Sequence, residues 1–221
     1  MRGQTVFVTG TDTDAGKTVV SVALLQALAA AGVPACGFKP VASGADPHGA
    51  GLANADALAL LAASAPGASL QEVNPLLFEP AIAPHLAAAR AGQRIEPAVL
   101  TAAHAVLAER FPLVVAEGAG GWLTPLNDSL LLGDWVAAQG WPVLLVVRLK
   151  LGCLNHALLT AEAIRARGAT LAGWVANHPE GAGAERQGML DTLSARLGPP
   201  LWVQQGFEAA PSAVLARLSG R

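Results

Sequence analysis

A glycine-rich segment near the start of the chain restricts the possible folds more than any other feature. Residues 10–18 have the pattern of a glycine, four other residues, then glycine, lysine and threonine. The segment follows a short β-rich apolar run, residues 5–9, and precedes a helical pattern that begins at Lys17. In this setting, backbone N–H groups wrap an anion, the lysine reaches the terminal phosphates and the threonine hydroxyl binds Mg²⁺. The sequence therefore predicts a site for a nucleoside triphosphate and Mg²⁺.

Apolar strands alternate with helices along most of the chain. We predict strands at residues 5–9, 37–41, 113–116, 143–147, 171–176 and 201–203. We predict helices at residues 17–31, 54–63, 97–110, 130–138, 154–167 and 184–197. Residues 66–84, with four prolines and little periodicity, are predicted as an irregular excursion over the active face. Continuous apolar strands between helices favour an α/β fold, a P-loop NTPase whose mostly parallel sheet is covered by helices on both faces.

The composition is consistent with one domain over residues 1–221, which is our expectation. Hydrophobic residues make up 52% of the 221 residues and charged residues 14%, so the chain can bury a large core. The net charge of −2 has both signs dispersed, which predicts no nucleic-acid or membrane partner. The apolar runs are too short for a membrane span or a signal peptide, so we expect a cytoplasmic protein. Cys36 and Cys153 are far apart and are predicted to be buried, inert thiols.

Polar residues lie at or just after the ends of the predicted strands. They are Asp12, Lys39, Glu117, Lys150 and Asn177. In parallel sheets, ligands bind beyond the carboxyl ends of the strands, so these residues are candidates for one site. Glu117, followed by a glycine-rich run, can hold Mg²⁺, but it can equally cap a tight turn in solvent. Lys39, at a strand end, and Asp56, on a helix, can likewise be site residues or ordinary solvent-exposed side chains.

Seven collinear segments between about residues 5 and 177 together resemble the dethiobiotin synthetase family. They are residues 9–18, 39–44, 54–58, 79–85, 117–122, 150–157 and 172–177. The resemblance implies a ligase of biotin synthesis that uses 7,8-diaminononanoate, ATP, and CO₂ or bicarbonate. One substrate amine takes up CO₂ as a carbamate, and the carbamate oxygen attacks the γ-phosphate. The second amine then closes the cyclic urea of dethiobiotin and expels phosphate.

The resemblance also implies a role for each matched residue. Lys17 and Lys39 match catalytic positions, while Thr18, Asp56 and Glu117 match metal-binding positions. The implied ATP-binding residues are Asp14, Ala15, Gly16, Lys17, Thr18, Val19, Asp56, Glu117, Gly118, Ala119, Gly120, Asn177, His178, Gln205, Gly206 and Phe207. The implied substrate-binding residues are Thr13, Ser43, Lys150, Gly152, Cys153, Leu154 and Asn155.

Residues 150–156 are expected to act across a subunit boundary. In the family that the sequence resembles, this segment comes from the neighbouring subunit of a homodimer and holds the substrate carboxylate. Gly152 permits close backbone approach, and Asn155 is predicted to cap the first turn of a helix that begins near Leu154. Free N–H groups at a helix start favour an anion.

The sequence departs from the family pattern at two places. Asp14 stands where the family commonly has glutamate. Residues 203–207 stand where members often carry a Gly-x-Ile-Pro-like turn near the adenine.

Two other classes remain as alternatives. A P-loop switch ATPase of the cell-division or partitioning type usually carries a second lysine just after the first glycine of the loop, where this chain has Thr11. A cobyrinate-amidating enzyme usually carries an additional glutamine-hydrolysing domain, for which 221 residues leave no space.

Overall fold

The structure, a computed structural model, describes residues 3–49, 51–178, 183–206, 208–211 and 214. The helices in this part of the chain are α1 (Lys17–Ala30), α2 (Ala55–Ala63), α3 (Leu70–Val73), α4 (Pro84–Arg90), α5 (Pro97–Arg110), α6 (Leu132–Gln139), α7 (Cys153–Ala166) and α8 (Ala184–Leu197). The strands are β1 (Gln4–Gly10), β2 (Ala35–Phe38), β3 (Val41–Ser43), β4 (Asp46–His48), β5 (Gly51–Ala53), β6 (Leu76–Phe78), β7 (Leu113–Gly121), β8 (Val143–Arg148), β9 (Leu171–Asn177) and β10 (Trp202–Gln204).

Six strands form the central sheet in the order β10-β9-β8-β1-β7-β2. Every neighbouring pair in this sheet is parallel. The predicted α/β fold with a parallel sheet is confirmed. Parallel pairing brings the carboxyl ends of all six strands to one edge, which is where the predicted polar residues lie.

Helices cover both faces of the sheet. Leu144 and Val146 of β8 pack in one core cluster, and Leu145 and Val147 pack in another. Successive side chains of a strand point to opposite faces, so both faces are buried. The first cluster includes residues of α1 and α5, and the second includes residues of α7 and α8. Cys36 and Cys153 are buried and unpaired, as predicted, and burial raises the pKa of the Cys36 thiol to about 11.

The second strand was predicted at residues 37–41, and these bounds are wrong. β2 ends at Phe38, and β3 begins at Val41 in a separate two-stranded sheet with β6. Between them the Lys39 N–H donates to the carbonyl of Val73 at 2.7 Å, and Pro40 has no N–H to donate. The chain therefore leaves the central sheet at Lys39, which stands at its edge.

The irregular excursion predicted for residues 66–84 is wrong in part. It contains α3 and β6, and α4 begins at its last residue. Ser69 and Glu72 form a capping box at the start of α3, a local signal that is visible in the sequence. An antiparallel hairpin of β4 and β5 was also not predicted.

The strand predicted to end before Glu117 continues to Gly121 as β7. Its pairing with β1 shifts register between Val8 and Gly10, so the ends of both strands are irregular beside the glycine-rich loop. Among the residues described, no helix is long and apolar enough to cross a membrane.

Candidate active site

The glycine-rich loop connects β1 to α1 at the centre of the sheet. Gly16 caps α1 with a φ of 95°, a conformation that favours glycine, and a side chain there would collide with the amide of Asn177. Asp14 also adopts a positive φ, 61°, which aspartate tolerates better than most residues. Helix α1 begins immediately at Lys17, so the loop has the strand, turn and helix N-terminus of an anion site.

The Lys17 side chain is buried within this loop. Its Nζ donates to the carbonyl oxygen of Asp12 at 3.1 Å, and the residue is 7% exposed. Burial, followed by the positive charge of Lys39, lowers the pKa of the Lys17 ammonium. A negatively charged group held by the loop would offset both effects, because it favours the charged form of the amine.

Lys39 is the buried centre of a charge cluster with buried Glu117 and with Asp56, whose side chain is 42% exposed. Its Nζ lies 2.8 Å from Asp56 Oδ2 and 2.6 Å from Glu117 Oε1. Burial by itself would lower the pKa of the Lys39 ammonium, but the charges of Glu117 and Asp56 outweigh it and raise that pKa. For Asp56 the directions are reversed. Burial by itself would raise the pKa of its carboxyl group, but the charge of Lys39 outweighs burial and lowers that pKa. The cluster is therefore an ammonium between two carboxylates, and simple solvation of these residues is excluded.

Thr18 joins this cluster from the start of α1. Its hydroxyl donates to Glu117 Oε1 at 2.9 Å. Glu117 is fully buried, and its Oε2 has no hydrogen-bond partner among the described residues. The Thr18 hydroxyl and the carboxylates of Asp56 and Glu117 thus meet at one point, brought there by α1, α2 and β7. One of the carboxylate oxygens, Glu117 Oε2, is buried and unpaired within the part of the chain described.

These groups fit Mg²⁺ held together with nucleotide phosphates. The residues described contain no cluster of three or more His, Cys, Asp or Glu side chains that could hold a metal by themselves. Mg²⁺ does not need such a cluster when phosphates supply oxygens, because it then takes one or two carboxylates and keeps several waters.

A groove of about 1170 Å³ runs over the loop and this cluster. The predicted site residues that line it are Thr13, Asp14, Gly16, Lys17, Thr18, Val19, Lys39, Ser43, Asp56, Ala119, Gly120, Asn177 and Gly206. Glu117 does not line the groove but contacts two lining residues, Thr18 and Lys39. Ala15, Gly118, His178 and Gln205 also lie off its surface, and Phe207 lies outside the described residues.

At the other end of the groove, Asn177 braces the glycine-rich loop. Its Nδ2 donates to the carbonyl of Ala15 at 2.9 Å. Its Oδ1 is buried and has no hydrogen-bond partner within the described part of the chain. Because the Asn177 Nδ2 is already bonded to the loop, its Oδ1 is left to accept a hydrogen bond from an amino group such as that of adenine. Gln205 contacts His178 only weakly, with 3.5 Å between their Nε2 atoms.

Residues 150–155 lie outside the groove of this chain. Helix α7 begins at Cys153, with Gly152 as its N-cap at a φ of 92° and no capping hydrogen bond from a side chain. The prediction that Asn155 caps this helix is therefore wrong. The Cys153 side chain packs in the second core cluster, and Leu151 is 94% exposed. Lys150 Nζ lies 3.5 Å from Asp12 Oδ2, which connects the segment to the glycine-rich loop.

Residues 81–84 line the groove, as expected for the end of the segment predicted to lie over the active face. The groove also has walls that the sequence did not predict, which consist of residues 121–125, Arg148, and the α7 residues His156, Leu159, Thr160 and Ala163. Arg148 ends β8 at the carboxyl edge of the sheet, so the rule that identified Lys39 and Asn177 could also have found it. Asn54 also lines the groove but was predicted only as the first residue of the helix at residues 54–63. It caps α2, and its Nδ2 also donates to the Gly44 carbonyl beside Ser43.

Comparison with known proteins identifies the family. The AAA domain profile matches residues 4–203. The ATP-dependent dethiobiotin synthetase BioD 1 of Escherichia coli O157:H7 is 46% identical over 209 residues, which cover 92% of this chain and 93% of that protein. The chain belongs to the dethiobiotin synthetase family. A second family member, BioD of Pseudomonas paraeruginosa, is 48% identical over 218 residues, which cover 97% of this chain and 96% of that protein.

A solved structure outside the dethiobiotin synthetase family has a similar fold. The cell-division ATPase MinD of Pyrococcus furiosus superposes with a TM-score of 0.58 and covers 99% of this chain and 97% of its own. The two are only 15% identical, so the likeness concerns the fold alone. The switch-ATPase alternative is therefore a distant structural relation, and the family resemblance is confirmed.

Proposed function

We propose that this chain catalyses the ATP-dependent conversion of 7,8-diaminononanoate and CO₂ into dethiobiotin, with release of ADP and phosphate. The observation that carries the proposal is the cluster of Lys17, Lys39, Thr18, Asp56 and Glu117 at one end of a single groove. Membership of the dethiobiotin synthetase family supplies the substrate class.

The lysines suit the phosphoryl-transfer step. This chemistry needs alignment and neutralisation of charge more than covalent help from the protein. Lys17 is tied to the glycine-rich loop, and Lys39 reaches the same point from the edge of the central sheet. Both side chains are largely shielded from water, which strengthens their action on charge that develops on the transferred group.

Thr18, Asp56 and Glu117 would hold Mg²⁺ beside the nucleotide. When bound, the ion supplies positive charge to the phosphate oxygens. The unpaired Oε2 of Glu117 supports this assignment, because a buried carboxylate oxygen without a partner is costly unless a ligand satisfies it.

The diamine end of the substrate fits the part of the groove near Thr13, Ser43 and Lys39. Ser43 ends β3 and lines the same groove as Lys39 and the glycine-rich loop, so a carbamate formed there would share the groove with the terminal phosphate. The neutral form of the amine is the one that takes up CO₂.

The carboxylate end of the substrate is assigned to residues 150–156 of a neighbouring subunit in a homodimer. Three exposed apolar side chains favour association of two chains: Leu151, which is 94% exposed, and Leu123 and Leu159 on the groove wall. Within one subunit, residues 1–221 are proposed to form a single domain.

The test is ATP turnover with and without 7,8-diaminononanoate in the presence of bicarbonate, with the organic product identified by mass spectrometry. We expect phosphate release to depend on the diamine and dethiobiotin to form in equal amount. Lys39→Met should abolish both signals, and Arg94→Met, which removes a surface charge outside the groove, should leave them unchanged. ATP turnover that ignores the diamine, or that responds to DNA instead, would contradict the proposal.

A further inference from the structure

The strand order separates the two ends of a bound nucleotide. The glycine-rich loop follows β1. On one side of it, Lys39 comes directly after β2, and Glu117 lies in β7. Strands β8, β9 and β10 lie on the other side. If the terminal phosphate lies at the lysine cluster, as the proposed function requires, the nucleoside must extend toward the ends of β9 and β10. Asn177 and Gly206 line the groove there.

Gln204 ends β10 and organises the backbone that follows it. The residue is only 2% exposed, and its side chain makes three hydrogen bonds. Its Oε1 accepts from the indole N–H of Trp202 at 2.6 Å. Its Nε2 donates to the carbonyls of Gly206 at 2.8 Å and Glu208 at 2.9 Å. One buried amide group thus holds two carbonyls of the following loop.

This arrangement is fixed from both directions. The Gln204 carbonyl accepts from the His178 N–H at 3.0 Å, which ties the end of β10 to the residue after Asn177. Beyond the loop, the Ala210 N–H donates to the carbonyl of Ala23 in α1 at 3.0 Å. Gly206 and Glu208, whose carbonyls Gln204 binds, therefore lie in sequence between two anchored points.

We propose that Gln204 is a positioning residue that holds the loop after β10 as the wall of the nucleoside end of the groove. Gln204 does not line the groove, whereas Gly206, whose carbonyl it binds, does. Its role is thus to keep the backbone at Gly206 in place for the base, while the phosphates depend on the glycine-rich loop. The inference rests on nucleotide binding in the proposed function and does not depend on which organic substrate is used.

The experiment compares a ligand that has a base with one that lacks it. Calorimetry should measure the Kd of ADP and of tripolyphosphate for the unchanged chain and for Gln204→Met, which keeps the side-chain length but removes all three hydrogen bonds. We expect the Kd of ADP to rise about tenfold or more, because only a fraction of the molecules would then hold the Gly206 backbone in the binding position. The Kd of tripolyphosphate should stay within about twofold, which is within the effect of one weak hydrogen bond.

Two further variants separate positioning from general destabilisation. Val203→Thr changes the neighbouring residue of β10, which points away from Gln204 and is 37% exposed, and it should leave both Kd values unchanged. Gln204→Glu keeps the acceptor for Trp202 but loses both donors, and it should behave as Gln204→Met does. In turnover assays the Gln204 variants should raise the KM for ATP and leave kcat nearly unchanged.

Equal loss of ADP and tripolyphosphate binding, or no loss of either, would overturn the positioning role. If the variants do not fold, hydrogen exchange on the unchanged chain gives the answer. Peptides that contain Gly206 and Glu208 should gain more protection with ADP than with tripolyphosphate, and equal protection would refute the inference. These binding results stand whether or not diaminononanoate is turned over, so failure of the proposed reaction is detected separately.

Discussion

The Lys39 ammonium lies 2.6 Å from Glu117 Oε1, the same carboxylate oxygen that accepts from the Thr18 hydroxyl. The same ammonium also pairs with Asp56 at 2.8 Å. The two carboxylates assigned to Mg²⁺ are therefore already paired with one cation from the protein. A divalent ion that arrives without nucleotide must compete with Lys39 for the same two carboxylates.

Lys39→Met should therefore bind Mn²⁺ alone more tightly than the unchanged chain does. Two unit charges about 4 Å apart interact by roughly 4 kcal/mol at an effective dielectric constant of 20, so we expect at least tenfold tighter binding. Calorimetry with Mn²⁺ and no nucleotide measures this directly. Arg94→Met makes the same change of charge at a surface pair with Asp128 and should have no effect. A folded Lys39→Met variant with unchanged Mn²⁺ affinity would show that the carboxylates are not the metal site.

Lys17→Ala should abolish phosphoryl transfer. The side chain is buried beside the loop, and the loss of one preorganised electrostatic group in such a site costs on the order of 10²-fold in kcat or more. Single-turnover measurement of phosphate release gives the rate, and near-ultraviolet circular dichroism confirms the fold. Arg94→Ala is the matched loss of a surface charge. A rate within a few-fold of that of the unchanged chain would show that Lys17 is not a catalytic residue.

His104 should make the stability of the protein depend on pH between about 4 and 6.5. The imidazole packs on Trp141 with 4.4 Å between ring centroids, and its Nε2 lies 2.8 Å from the Thr5 hydroxyl oxygen. Burial lowers the pKa of His104 from 6.5 to about 4. Between about pH 4 and 6.5 His104 is protonated in the unfolded chain but stays neutral in the folded chain, so a falling pH favours unfolding. The contribution of neutral His104 to the free energy of unfolding is complete above pH 6.5, decreases as the pH falls, and levels off below about pH 4.

Urea unfolding of the unchanged chain and of His104→Gln, measured from pH 7 to pH 4, tests this. Gln cannot be protonated in this range and can still bond to Thr5. We expect the unchanged chain to lose on the order of 3 kcal/mol more than the variant, from 1.4 kcal/mol per pKa unit. Parallel curves for the two proteins would show that His104 is not the source of the slope.

Gly152→Glu should weaken binding of diaminononanoate and leave ATP binding nearly intact. The substitution places a negative charge at the start of α7, where we assign the substrate carboxylate. Because Gly152 has a φ of 92°, any side chain also strains the backbone, so Gly152→Ala serves as the control for strain. Calorimetry with the diamine should give a Kd at least tenfold higher for the Glu variant than for the Ala variant, from like-charge repulsion at a few ångströms. An active monomer with an unchanged KM for the diamine would contradict both the carboxylate role and the shared site.

The sequence predicted the central sheet and the residues at its carboxyl edge because both follow from local patterns. Apolar runs fix β1, β7, β8 and β9, and parallel pairing then gathers Lys39, Glu117 and Asn177. The break after Phe38 was only partly visible in the sequence, because Lys39 and Pro40 interrupt the apolar pattern but do not show where the chain goes next. It depends on distant partners: the Val73 carbonyl accepts from Lys39 N–H, and Asn74 Nδ2 donates to the Lys39 carbonyl at 2.8 Å.

The nucleoside end of the groove was predicted least completely. Asn177 ends a strand and was identified by that position. Gln204 directly follows the strand predicted at residues 201–203, but that position alone does not reveal its role, which depends on its partners. Those partners are an indole two residues before it and two backbone carbonyls after it, and neither their distance nor their direction is encoded in a local pattern.

The position of β1 at the middle of the sheet has a consequence for the order in which the protein can fold. Its two neighbours, β7 and β8, begin at Leu113 and Val143, about half the chain later. Contacts so distant in sequence are costly to close and form late. On a growing chain, the glycine-rich loop is therefore synthesised among the first residues but gains its supporting strands only after more than 100 further residues have been added. A chain that stops before β7 would contain the whole phosphate-binding motif and no phosphate-binding site.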